Sequence, residues 1–253
     1  MTRGRLTPSK VPAITLTFWV LKLLTTALGE STSDTLVNHF APIPVVLVTG
    51  VIFVVVLAWQ FTRPRYDTLA YWGAVVLVGI FGTMVADSIH VALHVPYLAS
   101  SIAFAVALGV LFATWYREEG TLSIHDITSS SREAFYWATV CATFALGTAL
   151  GDLTAFTFHL GFLTSTVLFG VLFALPGLAF AAHRLGAISS FWASYVLTRP
   201  LGASVADWIG KPHSAGGMGF TAFHMALVLA VVFLTTLLLT WRRERAQGSV
   251  GWR

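Results

Sequence analysis

Eight stretches of about 20 predominantly apolar residues follow one another with little chain between them, and this recurrence constrains the fold more than any single motif. The spans read at about 13–35, 43–61, 69–92, 97–116, 134–156, 162–182, 190–209 and 220–241. Backbone N–H and C=O groups have no water to bind inside a bilayer, so these stretches must be helices. The expected fold class is all-α: a polytopic membrane protein in which residues 1–253 form one membrane domain, with no room for a separate soluble one. The segment before the first span is basic, and the span itself holds Lys22, Glu30 and Asp34 with no small-residue cleavage site. It reads as a retained helix and not a signal peptide.

The charged residues are few, 10 % of the chain, and they are unevenly placed. Eight spans put both termini on one side, with Arg3, Arg5, Lys10, Arg63, Arg65, Arg117, Arg132, Arg184, Arg242, Arg243, Arg245 and Arg253. The opposite loops offer only Lys211. The positive-inside rule then expects both termini in the cytoplasm and a multi-pass protein whose partner is the lipid bilayer. The net positive charge follows topology and gives no reason to expect nucleic acid. The single cysteine, Cys141, excludes an intrachain disulfide and a thiolate metal cluster.

Aligning the odd-numbered spans on their tryptophans exposes a fourfold repeat with units at 13–61, 69–116, 134–182 and 190–241. Trp19, Trp72, Trp137 and Trp192 each follow an aromatic residue. Ten residues on stand Gly29, Gly82, Gly147 and Gly202, and fifteen residues on stand Asp34, Asp87, Asp152 and Asp207. A second small residue follows each glycine by four, making a small-xxx-small stripe that lets helices approach closely in lipid. At 1.5 Å per residue each aspartate lies roughly 22 Å along its helix from the tryptophan. The tryptophans are expected at the membrane interface, and the aspartates in the outer third of the hydrocarbon core. Each unit holds two spans, so all four aspartates point the same way along the membrane normal and form a ring.

The odd helices also carry the polar residues. Lys22, Thr26, Glu30 and Asp34 share one face of the first, Thr83 and Asp87 lie on the third, Thr148 and Asp152 on the fifth, and Arg199, Asp207 and Lys211 on the seventh. The even helices are almost purely aliphatic and aromatic, which predicts odd helices inside and even helices outside. Arg199 lies about one turn from the level of Glu30, so neighbouring first and fourth copies could pair them. Pro200 removes one hydrogen bond in mid-span. Asp87, His90 and His94 share a face at a spacing that suits a transition metal, and His159 stands seven residues after Asp152 as His94 does after Asp87.

The segments Lys10-Val11-Pro12, Phe18-Trp19, Gly29-Glu30 with Asp34, Gly147-Thr148 with Gly151-Asp152, Leu197-Thr198-Arg199-Pro200-Leu201-Gly202-Ala203 with Asp207, and Lys211-Pro212 with Gly216-Gly217 resemble a bacterial family of uncharacterised repeat-containing membrane-anchored proteins. The similarity covers about residues 10–240 and implies architecture and a bacterial inner membrane, with no substrate.

An ionised side chain at membrane depth costs at least ~2.5 kcal/mol and points to an ion or substrate pathway. Five carboxylates face Lys22, Arg199 and Lys211, and a bound cation or protons would balance the excess. The expected function is therefore a membrane transporter, an exporter, of a divalent, manganese-like metal cation carried as substrate, with no cofactor and no enzymatic activity. Glu30, Asp34, Asp87, Asp152, Asp207, Arg199, Thr26, Thr83 and Thr148 would form the ion path. Asp34, Asp87, His90, His94, Asp152, His159 and Asp207 are the candidate metal ligands. The alternatives are a cation channel with an acidic ring and an intramembrane zinc hydrolase using Asp87, His90, His94 and a serine such as Ser31.

Overall fold

The computed structural model describes residues 9–250, with side chains through Ala246. Arg3, Arg5 and Arg253 of the orientation reading lie outside the described residues. Eight α-helices, and no strand, make up the described chain: α1 Leu16–His39, α2 Pro42–Phe61, α3 Thr68–Leu93, α4 Tyr97–Glu119, α5 Ser130–Asp152, α6 Gly161–Ala181, α7 Ala187–Gly210 and α8 Ala222–Val250. Side-chain caps fix three inner-helix starts. Thr15 Oγ1 accepts from the Phe18 amide, Asp67 from Leu69 and Ala70, and Ser129 from Arg132. A π-helical turn, Leu153–Thr157, extends α5 beyond Asp152, and α7 runs through Pro200 without interruption.

Six of the helices, α2 to α6 and α8, are long and apolar enough to cross a membrane. The two that fall short, α1 and α7, are the ones that carry lysine, glutamate and arginine at mid-length, and each has 24 residues. That is about 36 Å of helix, more than a hydrocarbon core needs.

The inner helices form a closed ring in the order α1, α3, α5, α7 and back to α1. The outer helices show the inverse burial pattern: α2, α4, α6 and α8 leave most of their aliphatic surface uncovered, as lipid-facing helices must. Each outer helix packs mainly on the inner helix of the next repeat, α2 on α3, α4 on α5, α6 on α7 and α8 on α1. Every repeat thus covers its neighbour's inner helix more than its own, which interlocks the four units.

Both described chain ends lie at one face of the ring. Lys10 Nζ donates to Glu133 at 2.5 Å and to the Phe61 carbonyl at 3.2 Å, and at the other terminus Thr68 donates to Glu244. Ser9 and Lys10 also bond to the 121–129 linker, where Ile124 and Ile127 are buried. The linker between α4 and α5, residues 120–129, is therefore packed down against the N-terminal segment. Lys10→Ala would leave the fully buried Glu133 carboxylate with Gln60 as its remaining partner, at 3.2 Å. We expect a loss of about 2 kcal/mol, read as an earlier thermal unfolding midpoint in detergent.

Candidate functional site

The interior of the ring is built in layers, each taking one residue from each inner helix. At the level of the tryptophans an aromatic layer closes the face that carries the chain ends. Its contacts follow one cyclic rule: the aromatic residue before each tryptophan meets the ring of the next copy. Phe18 lies 5.7 Å from Trp72, Tyr71 5.7 Å from Trp137, Tyr136 6.1 Å from Trp192, and Phe191 5.8 Å from Trp19. The Tyr71 and Tyr136 hydroxyls share a hydrogen bond of 2.5 Å. At this level Trp72, Trp137 and Trp192 are buried inside the ring, where their flat faces fill the space between converging helices.

The glycines obey the same rule one layer higher. A methyl added to Gly29 would stand 2.8 Å from the Gly79 carbonyl carbon, and one on Gly82 3.2 Å from the Phe144 Cβ. Gly147 faces Arg199 and Pro200, and Gly202 faces Thr26. Thr26, Gly79, Phe144 and Arg199 occupy one repeat position, seven after the tryptophan. Each glycine therefore admits the next helix at an equivalent height, as the small-residue stripe predicts.

Arg199 fills the middle of the ring and is fully buried. Its guanidinium donates to Glu30 Oε2 at 2.6 Å, to the Thr26 carbonyl at 2.8 Å, to Thr148 Oγ1 at 2.9 Å, and to Thr83 Oγ1. Glu30, Thr83 and Thr148 are the residues eleven after the tryptophan in copies one, two and three; copy four has Ala203 there. One arginine thus reaches the equivalent polar group on each of the other three inner helices, and alanine in its own copy leaves it room. Just below, Lys22 Nζ lies 4.1 Å from the Phe144 ring centre and 4.0 Å from that of Tyr195, with no hydrogen-bond partner. Cation–π attraction is the contact that remains to it.

The four aspartates occupy the next layer, toward the opposite face. Lys211 Nζ bridges two of them, at 2.5 Å from Asp34 and 3.5 Å from Asp207. Burial disfavours the Lys211 ammonium, but Asp207 and Asp34 more than offset this and hold its pKa above the ordinary lysine value. Glu30, Asp34 and Asp207 each bring a carboxylate oxygen within 4.8 Å of the others, the one such group among the described residues. Asp87 and Asp152 are half-buried and have no hydrogen-bond or ion-pair partner among the described residues.

A model of the Repeat of Unknown Function (DUF347) matches the chain four times, over residues 17–66, 70–121, 135–184 and 190–246. The chain belongs to that family. The four DUF347 matches coincide with the repeats that share the aromatic, glycine and aspartate layers, so each repeat is one inner and one outer helix. No curated protein and no solved structure matches the chain.

Not every candidate ligand is drawn into the DUF347 ring. His90 Nδ1 lies 2.8 Å from the Val95 carbonyl and its ring stacks on Tyr97 with centres 3.6 Å apart. His94 and His159 are exposed and adopt left-handed backbone, with φ of 53° and 54°, where α3 and the π-helical turn end. Ser31 donates to the Ala27 carbonyl within its own helix. Thr26, Thr83 and Thr148 are gathered around Arg199 and not around the aspartates. The sequence offers Lys211 as the one cation of its loops and as a member of a polar stripe. Its spacing of four from Asp207 signals that contact, whereas the Asp34 contact depends on ring closure between copies four and one.

Proposed function

We propose that the protein is a transporter, an exporter, of a divalent metal cation of the manganese type, working in the bacterial inner membrane with both termini in the cytoplasm. The observation that carries this reading is the charge balance of the inner ring. Glu30 and the four aspartates bring five carboxylates to the outer half, against Arg199 and Lys211. Oxygen ligands on separate helices suit a hard divalent ion. Glu30, Asp34 and Asp207 would supply the closest ligands, with Asp87 and Asp152 at the same level as further ligands or proton acceptors.

In this reading the ion displaces the Lys211 ammonium from between Asp34 and Asp207, and protonation of a carboxylate releases it again. Rocking of two repeats against the other two would open the aromatic layer and alternate access. The Arg199 guanidinium lies across the axis, bonded to three inner helices, and this favours a gated carrier over a continuous acidic channel.

Isothermal titration of the purified protein with manganese tests the site. Saturable binding near one ion per chain is expected in the parent protein, and Asp34→Asn or Asp207→Asn should weaken it by about tenfold or more. Unaltered binding in both variants would remove the proposed site. Lys211→Gln should act in the opposite sense, because it removes the tethered competitor and one positive charge. Manganese affinity should rise by about tenfold, corresponding to about 1.4 kcal/mol of relieved repulsion.

A further inference from the structure

A groove of about 410 Å³ opens sideways between α1, α2 and α3, away from the ring axis. Its walls are apolar, with Val37 on α1, Ile43 and Leu47 on α2, and Met84 and Val91 on α3; Asp87 stands among them. The Asp87 carboxylate has no hydrogen-bond or ion-pair partner among the described residues, and the hydroxyl of neighbouring Ser88 is committed to the Met84 carbonyl at 2.6 Å. An unpaired carboxylate beside an apolar wall is the costly arrangement in a membrane, and an occupant that supplies positive charge removes the cost.

The repeat shows what leaves this junction open where the next one is filled. At the corresponding junction of α3, α4 and α5, Tyr97 stacks on His90 at 3.6 Å and on Phe156 at 6.0 Å. His90 is three residues after Asp87, Tyr97 ten after it, and Phe156 four after Asp152. The equivalent positions one copy earlier are Val37, Pro44 and Val91. Three aromatic rings that plug one junction are thus replaced by smaller side chains at the other, and the space they would fill remains open beside an unpaired charge.

We propose that this groove is a lateral binding site for an amphiphilic monovalent cation, an ammonium or phosphonium with an apolar body, whose charge is met by Asp87. The volume falls within the roughly 300–1,000 Å³ of sites that take drug-sized molecules. A divalent ion finds only one carboxylate there and cannot replace its hydration shell from aliphatic walls. A phosphate group is repelled by Asp87, and an uncharged acyl chain leaves the carboxylate uncompensated. Entry is from the bilayer, where amphiphilic cations concentrate, since α2 presents its apolar surface to lipid beside the groove. The site goes beyond the divalent-ion reading and shares only Asp87 with it.

Equilibrium binding of radiolabelled tetraphenylphosphonium to the full chain in nanodiscs, corrected for partition into empty nanodiscs, tests the site. Saturable binding is expected, weakened by about tenfold or more in Asp87→Asn, which removes the charge contact. Val91→Phe, which restores the ring found at Phe156, should also abolish it, while Asp152→Asn, at the plugged junction, should leave it unchanged. Manganese titration of Val91→Phe should match the parent protein, so the two sites fail or survive separately. The inference is overturned by absence of saturable binding, by equal loss in Asp152→Asn, by retention in Asp87→Asn, or by triphenylphosphine oxide, an uncharged analogue, competing as well as the cation does.

Discussion

Arg199→Ala should destabilise the protein by roughly 3–5 kcal/mol, the largest effect expected from a single side chain here. The substitution leaves Glu30, 5 % exposed, as a buried carboxylate without its counter-ion, and it empties the space that Gly147 cedes to the arginine stem. It also removes the shared donor to Thr83 and Thr148, so three inner helices lose a common tie. Thermal unfolding followed by tryptophan fluorescence reads the loss directly, because Trp72, Trp137 and Trp192 are buried one layer below. Pairing Arg199→Met with Glu30→Gln should recover much of the stability, since a neutral pair leaves no uncompensated charge. A single variant as stable as the parent would mean that the ion pair does not tie the ring together.

Gly29→Val comes next, near the upper end of the roughly 1–3 kcal/mol that overpacking costs. The added Cβ would meet the Gly79 backbone at 2.8 to 3.2 Å, and backbone cannot rotate away as a side chain can. The first and third helices would have to separate, opening the aromatic contact of Phe18 with Trp72 below and the Arg199 layer above. At Gly82 the nearest atom is a side-chain Cβ at 3.2 Å, so Gly82→Ala should be milder than Gly29→Ala. Unfolding midpoints of the two alanine variants, compared in the same detergent, check that order.

Much of this fold was legible because a membrane restricts the options. Apolar length set the helices, and the fixed offsets of Trp, Gly and Asp set four equivalent units with polar helices inside. The pairing of Arg199 with Glu30 was foreseeable from their heights and from closure of a four-membered ring. Periodicity within one chain could not reveal that α2 packs on α3 or α8 on α1, since an outer helix has the same composition whichever inner helix it covers. The side that the tryptophans face was hidden for a related reason: depth follows from position along a helix, but the facing side depends on the neighbours. His90 shows the limit for ligands, because its spacing from Asp87 and His94 suits a metal while Tyr97, seven residues on, takes its ring by stacking. One further offset, eleven after the tryptophan, would have gathered Glu30, Thr83 and Thr148 as a layer before any geometry was known.

Ion flux gives the most direct test that a divalent cation crosses through the carboxylate layer. Proteoliposomes containing the full chain and a manganese-quenched dye should lose fluorescence when manganese is added outside. Asp34→Asn and Asp207→Asn proteins, reconstituted to the same density, should behave like empty vesicles. Equal quenching by parent and variant proteins, or none by a well-folded parent, would contradict transport through these carboxylates.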